Sequence, residues 1–146
     1  MLPEDMNTFN IQVLRIVATL YKAMPRTMHV QIPIATGSQQ NDKDISSFAS
    51  GTITWLHRNI YVTGTLHPSG AIINAQLSAL TYGVLQKQEQ NAPELTFGEL
   101  VLDAASQPAS QDEATVSELL VRRLLGDLTF GANNLKLPLV RAGRPF

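Results

Sequence analysis

Residues 61–77 read YVTGTLHPSGAIINAQL, and this stretch decides the fold. Two runs, 61–66 and 71–77, show the two-residue period of strands on either side of the segment HPSG at 67–70. Proline and glycine are typical of tight turns, and strand-like runs that flank such a turn indicate a β-hairpin. The sequence therefore predicts a two-stranded ribbon whose turn lies at residues 67–70.

Helical patterns precede the hairpin. Apolar residues recur at three- and four-residue steps over residues 8–24 and again over residues 44–58, so each stretch predicts an amphipathic helix. Between them, alternating residues predict a short strand at 29–34, followed by a polar loop at 35–43. Because glycine weakens the middle of a helix, a break near Gly51 is the alternative to one helix over 44–58.

Helical patterns also follow the hairpin. A helix is expected at 78–88, and two further helices, at 96–106 and 110–125, each begin with the Ser/Thr-x-x-Glu pattern of a capping box. The tail from residue 127 to residue 146 has scattered glycine and proline, which predict an extended arm. We therefore expect an α+β protein that is mostly helical.

The order of these elements resembles that of a winged-helix domain. Residues 54–62, TWLHRNIYV, resemble the end of a recognition helix that enters the first wing strand. Residues 76–85, QLSALTYGVL, resemble the last wing strand and the helix behind it. The resemblance covers roughly 8–88 and is to small bacterial winged-helix proteins with a helical tail. It implies a winged-helix-like domain at 1–88, with a three-helix core and a β-hairpin wing, followed by two C-terminal helices and a tail at 89–146.

The chain departs from the winged-helix pattern in one respect. The full motif has two helices between the first helix and the wing, whereas only one is clear in this sequence. Either the loop at 35–43 replaces the missing helix, or Gly51 divides residues 44–58 into both helices.

The composition indicates a protein that associates with a second chain. Charged residues make up 16% of the 146 residues, below the usual quarter, and hydrophobic residues make up 44%. A surface with little charge leaves apolar area to be covered, so we expect a homodimer. The formal net charge of −1 gives no overall attraction to nucleic acid or to acidic membranes. The absence of cysteine, and of any apolar run near the ~18 residues of a membrane span, leads us to expect a cytoplasmic protein.

The winged-helix resemblance implies a transcription-regulator type of DNA-binding protein, with a helix in the major groove and the wing on the backbone. The residues expected to contact DNA are Ser50, Thr52, Thr54 and Arg58 in the groove and His67 and Ser69 at the backbone. Phosphate neutralisation by Lys and Arg supplies most of the affinity for DNA. Over residues 27–88, however, three basic side chains stand against two acidic ones, and the turn at 67–70 carries no permanent cation. The charge pattern therefore gives DNA binding little support.

The alternative function is a protein–protein or dimerisation adaptor that does not bind nucleic acid. The helix predicted at 110–125 carries apolar residues over more of its circumference than one core-facing stripe requires. The predicted dimer interface consists of Val116, Leu119, Leu120, Leu124 and Leu128. A helix covered on two sides by its own domain would show the same pattern, so both interpretations stay open.

No catalytic residue, metal ligand or cofactor is predicted. The three histidines, His29, His57 and His67, lie on different predicted elements, and the chain has no cysteine to complete a ligand set. The sequence contains neither a Gly-x-Ser-x-Gly elbow nor a phosphate-binding glycine loop. Trp55 is expected in the core against the first helix.

Overall fold

The computed structural model describes residues 3–37, 43–106 and 118–126 of the chain. The elements follow in the order α1 (Pro3–Ala23), β1 (Met28–Val30), α2 (Ile32–Thr36), α3 (Lys43–Arg58), β2 (Val62–Leu66), β3 (Ile72–Leu77), α4 (Ala79–Leu85), α5 (Phe97–Ser106) and α6 (118–126). The protein is thus α+β and mostly helical, as the sequence predicts. Within these described residues, no helix has both the length and the apolarity needed to cross a membrane.

Helix α1 lies at the centre of the core because it is apolar around most of its circumference. Val13, Ile16 and Val17 are completely buried, and α2, α3, α5 and β3 all contact this helix. Side chains of α5 and α6, including Phe97 and Val121, belong to the same buried cluster. Burying one large apolar side chain contributes about 1.5–3 kcal/mol. The hydrophobic core therefore continues across the boundary expected between residues 88 and 89.

The hairpin predicted at 61–77 is confirmed. Strands β2 and β3 pair antiparallel, with Val62 opposite Leu77 and Leu66 opposite Ile72, and β1 joins the other edge of β3 in a sheet of order β1-β3-β2. The register shifts at Gly64, whose φ of 134° suits glycine, and a Cβ at this position would lie 2.6 Å from Ile72 Cγ2. The sheet is therefore held in one register by close packing against β3.

Two predictions between α1 and the hairpin were wrong. The strand predicted at 29–34 ends at Val30, and helix α2 occupies residues that were expected to be strand and loop. Pro33 lies in the first turn of α2, where its missing N–H costs nothing, and Gly37 ends the helix with φ 71°. Helix α3 also continues through Gly51 without a break, so α2 is the second helix before the hairpin.

Helix α3 ends in a Schellman motif that directs the chain into β2. The N–H of Ile60 donates to the His57 carbonyl at 3.1 Å, and the N–H of Tyr61 donates to the Leu56 carbonyl at 3.0 Å. Ile60 adopts the left-handed conformation, with φ 61°, and is 68% exposed. This conformation costs an L-residue about 1–2 kcal/mol, so the junction stores backbone strain.

The capping box predicted at the start of α5 is confirmed. The Thr96 N–H donates to Glu99 Oε1 at 3.2 Å, and the Glu99 N–H donates to Thr96 Oγ1 at 3.3 Å. The second predicted capping box, at 110–113, and the tail at 127–146 lie outside the described residues.

Candidate functional site

The turn of the hairpin packs directly against α3, at the first of the predicted DNA contacts. A Cβ built on Gly70 would overlap the hydroxyl group of Ser50, so only glycine permits this approach. The side chain of His57 also ties α3 to the hairpin, because its Nε2 donates to the Gly64 carbonyl at 2.9 Å. The face of α3 that carries Ser50 is therefore partly covered by the hairpin turn.

Thr52 does not lie on an exposed face of α3, so this part of the DNA-contact prediction was wrong. Its side chain is 3% exposed, and its Oγ1 is 2.8 Å from Gln12 Oε1 and 3.1 Å from the Phe48 carbonyl oxygen. Position 52 is one helical turn from the buried Ala49 and Leu56, which places it on the side that faces α1. A threonine there satisfies a buried amide instead of reading a base.

The remaining predicted DNA contacts differ from one another in burial and in hydrogen bonding. Thr54 is half-buried and Arg58 is exposed. In the hairpin turn, His67 Nδ1 accepts from the Ser69 N–H at 3.1 Å and lies 2.9 Å from Ser69 Oγ. These exposed polar groups therefore build the turn itself. The hairpin sequence at 61–77 contains no lysine or arginine that could neutralise a phosphate.

A groove with mostly apolar walls lies between α1, α3 and α6. Its volume is about 570 Å³. Met6, Phe9 and Asn10 of α1 form one wall, Phe48, Gly51, Thr52 and Trp55 of α3 form the second, and Glu118, Val121, Arg122 and Leu125 of α6 form the third. We refer to this feature as the apolar groove.

Aromatic rings form much of the surface beside the groove. Trp55 meets Phe9 edge-to-face, with ring centroids 5.3 Å apart, and its other neighbour is Tyr61, with centroids 5.2 Å apart. The predicted contact of Trp55 with the first helix is thus confirmed, but 36% of Trp55 is exposed, so it is not a core residue. Edge-to-face aromatic packing fixes the Trp55 ring in one orientation at the groove.

Exposed large apolar side chains are concentrated on the helices that form the groove. Six such residues occur in the described part of the chain, and four of them, Met6, Ile45, Trp55 and Leu119, belong to α1, α3 and α6. The other two, Ile60 and Leu80, lie at the α3–β2 junction and on α4. Met6 and Trp55 line the groove itself, whereas Ile45 and Leu119 lie on the same helices outside its lining.

One polar side chain in the groove is buried without a hydrogen-bond partner among the described residues. Asn10 is 5% exposed and lines the groove, and no described residue forms a hydrogen bond with its side-chain amide. Buried amides in native proteins almost always have partners, so an unsatisfied one requires an explanation.

The charged groups at the rim, Glu118 and Arg122, pair with each other at 2.6 Å and are both well exposed.

A second ion pair holds α6 against the loop between α4 and α5. The Arg123 guanidinium donates to both Glu89 carboxylate oxygens, at 2.9 and 2.6 Å, and lies 4.2 Å from the centroid of the Phe97 ring. The hydrogen bonds from Arg123 hold the pKa of Glu89 below its ordinary value. This bidentate pair and the cation–π contact position the third wall of the groove.

The residues predicted for a dimer interface do not share one environment. Leu119 is 61% exposed and points away from the core, whereas Leu120 is half-buried. Leu124 is 1% exposed within its own chain, so its assignment to a dimer interface was wrong: together with Val121, it forms the core-facing side of α6. Val116 and Leu128 lie outside the described residues.

The described residues contain no group of three or more histidine, aspartate or glutamate side chains arranged to bind a metal ion. His29 Nδ1 accepts from the Asn74 N–H at 3.2 Å, so this histidine connects β1 to β3.

Comparisons with models of protein families, with curated proteins and with solved structures found no match. The function is therefore inferred from the geometry of the chain itself.

Proposed function

We propose that this chain is a non-enzymatic binding module of the winged-helix type that acts as a protein–protein adaptor and pairs with a second copy of itself. The observation that carries the proposal is that four of the six exposed large apolar side chains among the described residues lie on α1, α3 and α6, and that Leu119 of α6 is the most exposed of these four. Such a surface loses contact with water when a partner covers it, and that loss drives association.

The order of elements supports the winged-helix part of the proposal. A helix, a short strand, two helices and a hairpin follow one another, and the first strand pairs with the last strand of the hairpin. In this interpretation α3 is the recognition-type helix and residues 62–77 are the wing.

The α3–hairpin face favours an adaptor over a DNA reader. Of the four side chains expected in a DNA groove, Ser50 lies against Gly70 and Thr52 bonds Gln12. The wing carries no lysine or arginine, so it offers no permanent cation to the phosphate backbone. Arg58 alone would then have to supply the cationic contact from this helix face.

Leu119 is the residue on which the dimer is expected to depend most. It lies on the side of α6 opposite the buried Val121 and Leu124, and 61% of it is exposed. In a twofold dimer the same patch of each chain contacts its copy, so Leu119 of both chains becomes buried. Replacing it with aspartate places two like charges at the centre of the contact.

Sedimentation velocity of the full chain tests the dimer. We expect a dimer for the unmodified protein, a monomer for Leu119→Asp, and a dimer for the control Leu80→Asp, which alters an exposed leucine on α4. An unmodified protein that stays monomeric at high micromolar concentration, or a Leu119→Asp variant that still dimerises, would contradict the proposal.

A salt titration with random duplex DNA tests the competing function. We expect no binding at low salt. Binding whose affinity falls steeply with salt, with a slope reduced by about one in Arg58→Ala, would instead support a DNA-binding protein.

A further inference from the structure

We infer that the apolar groove is a binding site for a small, flat, uncharged molecule that carries a carboxamide-like group, and that Asn10 recognises this group. The inference goes beyond the adaptor role and does not depend on it. It rests on the shape of the groove, on its lack of available charge, and on the unsatisfied amide of Asn10.

The groove has the size and lining of a small-molecule site. Its volume of about 570 Å³ falls within the roughly 300–1,000 Å³ that is typical of ligand pockets. Phe9, Phe48 and Trp55 line it with aromatic rings, which favour an aromatic and therefore flat ligand. At Gly51 an added Cβ would meet nothing within 4 Å, so α3 leaves open space between its two aromatic residues.

The charges around the groove favour a neutral ligand. Glu118 and Arg122 are the only charged residues among the described groove-lining side chains, and they neutralise each other at the exposed rim. Of the groove-lining residues that the structure describes, none carries an unpaired charge that could offset the desolvation of a charged ligand. A ligand ion would therefore lose its hydration without gaining an ion pair.

Asn10 supplies the specificity. Its amide is buried in the wall and has no partner among the described residues. A primary amide offers both a donor and an acceptor, so a ligand carboxamide can form two hydrogen bonds with it. Binding would then satisfy a buried polar group that the described residues leave without a partner, and an apolar ligand of the same shape would not.

The experiment uses two probes of similar shape, 2-naphthamide and 2-methylnaphthalene. Trp55 is the only tryptophan, so a single indole N–H resonance in a ¹H–¹⁵N NMR spectrum reports on the groove. We expect both probes to shift this resonance, and 2-naphthamide to bind about tenfold more tightly because of its hydrogen bonds. In Asn10→Leu the two affinities should become equal, whereas the exposed control Asn7→Leu should keep the preference.

A second variant tests the location independently. Leucine at position 51 would extend into the open space of the groove, so Gly51→Leu should lose both probes while keeping its circular dichroism spectrum and a cooperative melting transition. Leu119→Asp, which alters the proposed dimer contact, should bind 2-naphthamide like the unmodified chain, so a failure of the adaptor proposal leaves the ligand site standing.

Three results would overturn the inference. The first is that neither probe, at concentrations up to its own solubility limit, shifts the Trp55 resonance. The second is a preference for 2-naphthamide that persists in Asn10→Leu. The third is undiminished binding by a folded Gly51→Leu variant.

Discussion

Alanine at two helical glycines should change stability in opposite directions. Glycine inside a helix is less favourable than alanine by about 0.5–1 kcal/mol. At Gly51 an added Cβ meets no atom within 4 Å, so Gly51→Ala should realise this gain. The corresponding rise in melting temperature is roughly 2–4 °C per kcal/mol for a domain of this size.

The same substitution at Gly98 meets α1. An added Cβ would lie 2.5 Å from Tyr21 Cζ and 2.7 Å from its hydroxyl oxygen, so the ring must move. The ring is not free to do so without loss, because the Tyr21 hydroxyl accepts from Gln86 Nε2 at 2.8 Å and the ring contacts Tyr82. Overpacking of this kind costs about 1–3 kcal/mol, which exceeds the gain in helix propensity.

Urea denaturation of both variants, followed by circular dichroism, measures the difference. Gly51→Ala should unfold at a higher urea midpoint than the unmodified protein, and Gly98→Ala at a lower one, with unchanged slopes. A Gly98→Ala variant as stable as Gly51→Ala would refute the close approach of α5 to Tyr21.

Two further predictions concern buried and half-buried pairs. Thr52→Val leaves Oε1 of the Gln12 side chain without its donor. We expect urea denaturation to show that the free energy of unfolding falls by about 1–3 kcal/mol, partly offset by burial of the methyl group that replaces the hydroxyl. Arg123→Met removes the partner that lowers the pKa of Glu89. A carboxyl group whose pKa is lowered in the folded state stabilises the fold above its ordinary pKa, and this contribution is lost as the pH falls. The unmodified protein should therefore lose more stability than the variant on acidification from about pH 5 to pH 3. Thermal melts at each pH measure the difference.

Matched controls separate these effects from general damage. Thr54→Val alters a half-buried threonine on the same helix and should change stability little. Arg122→Met removes an exposed ion pair and should leave the pH dependence unchanged. A Thr52→Val variant as stable as Thr54→Val, or equal acid sensitivity of Arg123→Met and the unmodified chain, would contradict the assigned contacts.

The parts of the fold that sequence reasoning predicted correctly are governed by local rules. The hairpin at 61–77 follows from its turn residues, and the start of α5 follows from the spacing of Thr96 and Glu99. Helix α2 was missed because the alternation of Ile32, Pro33 and Ile34 fits a strand as well as a short helix that begins at a proline. The left-handed Ile60 was not foreseeable, since glycine is the residue normally found there.

The site was harder to predict because it depends on contacts between distant parts of the chain. The helical pattern predicts an exposed Thr52, but the side chain is buried by a contact with Gln12, which is 40 residues away in the sequence. Predicting the groove also requires knowing which apolar side chains remain exposed after the helices have packed. Met6 and Phe9 lie at the start of α1, and nothing in their local sequence distinguishes them from core residues. The low charged fraction was the one signal that some apolar surface would remain.

The central position of α1 has a consequence for how the protein can be divided. A fragment that stops after residue 88 would keep the sheet and the first four helices but would lose Phe97 and Val101, which are completely buried in the shared core. The side of α1 that α5 contacts would then meet water. The N-terminal part is thus not an independently folding domain, and any truncated chain must retain the helix at 97–106 to avoid aggregation through this exposed side of α1.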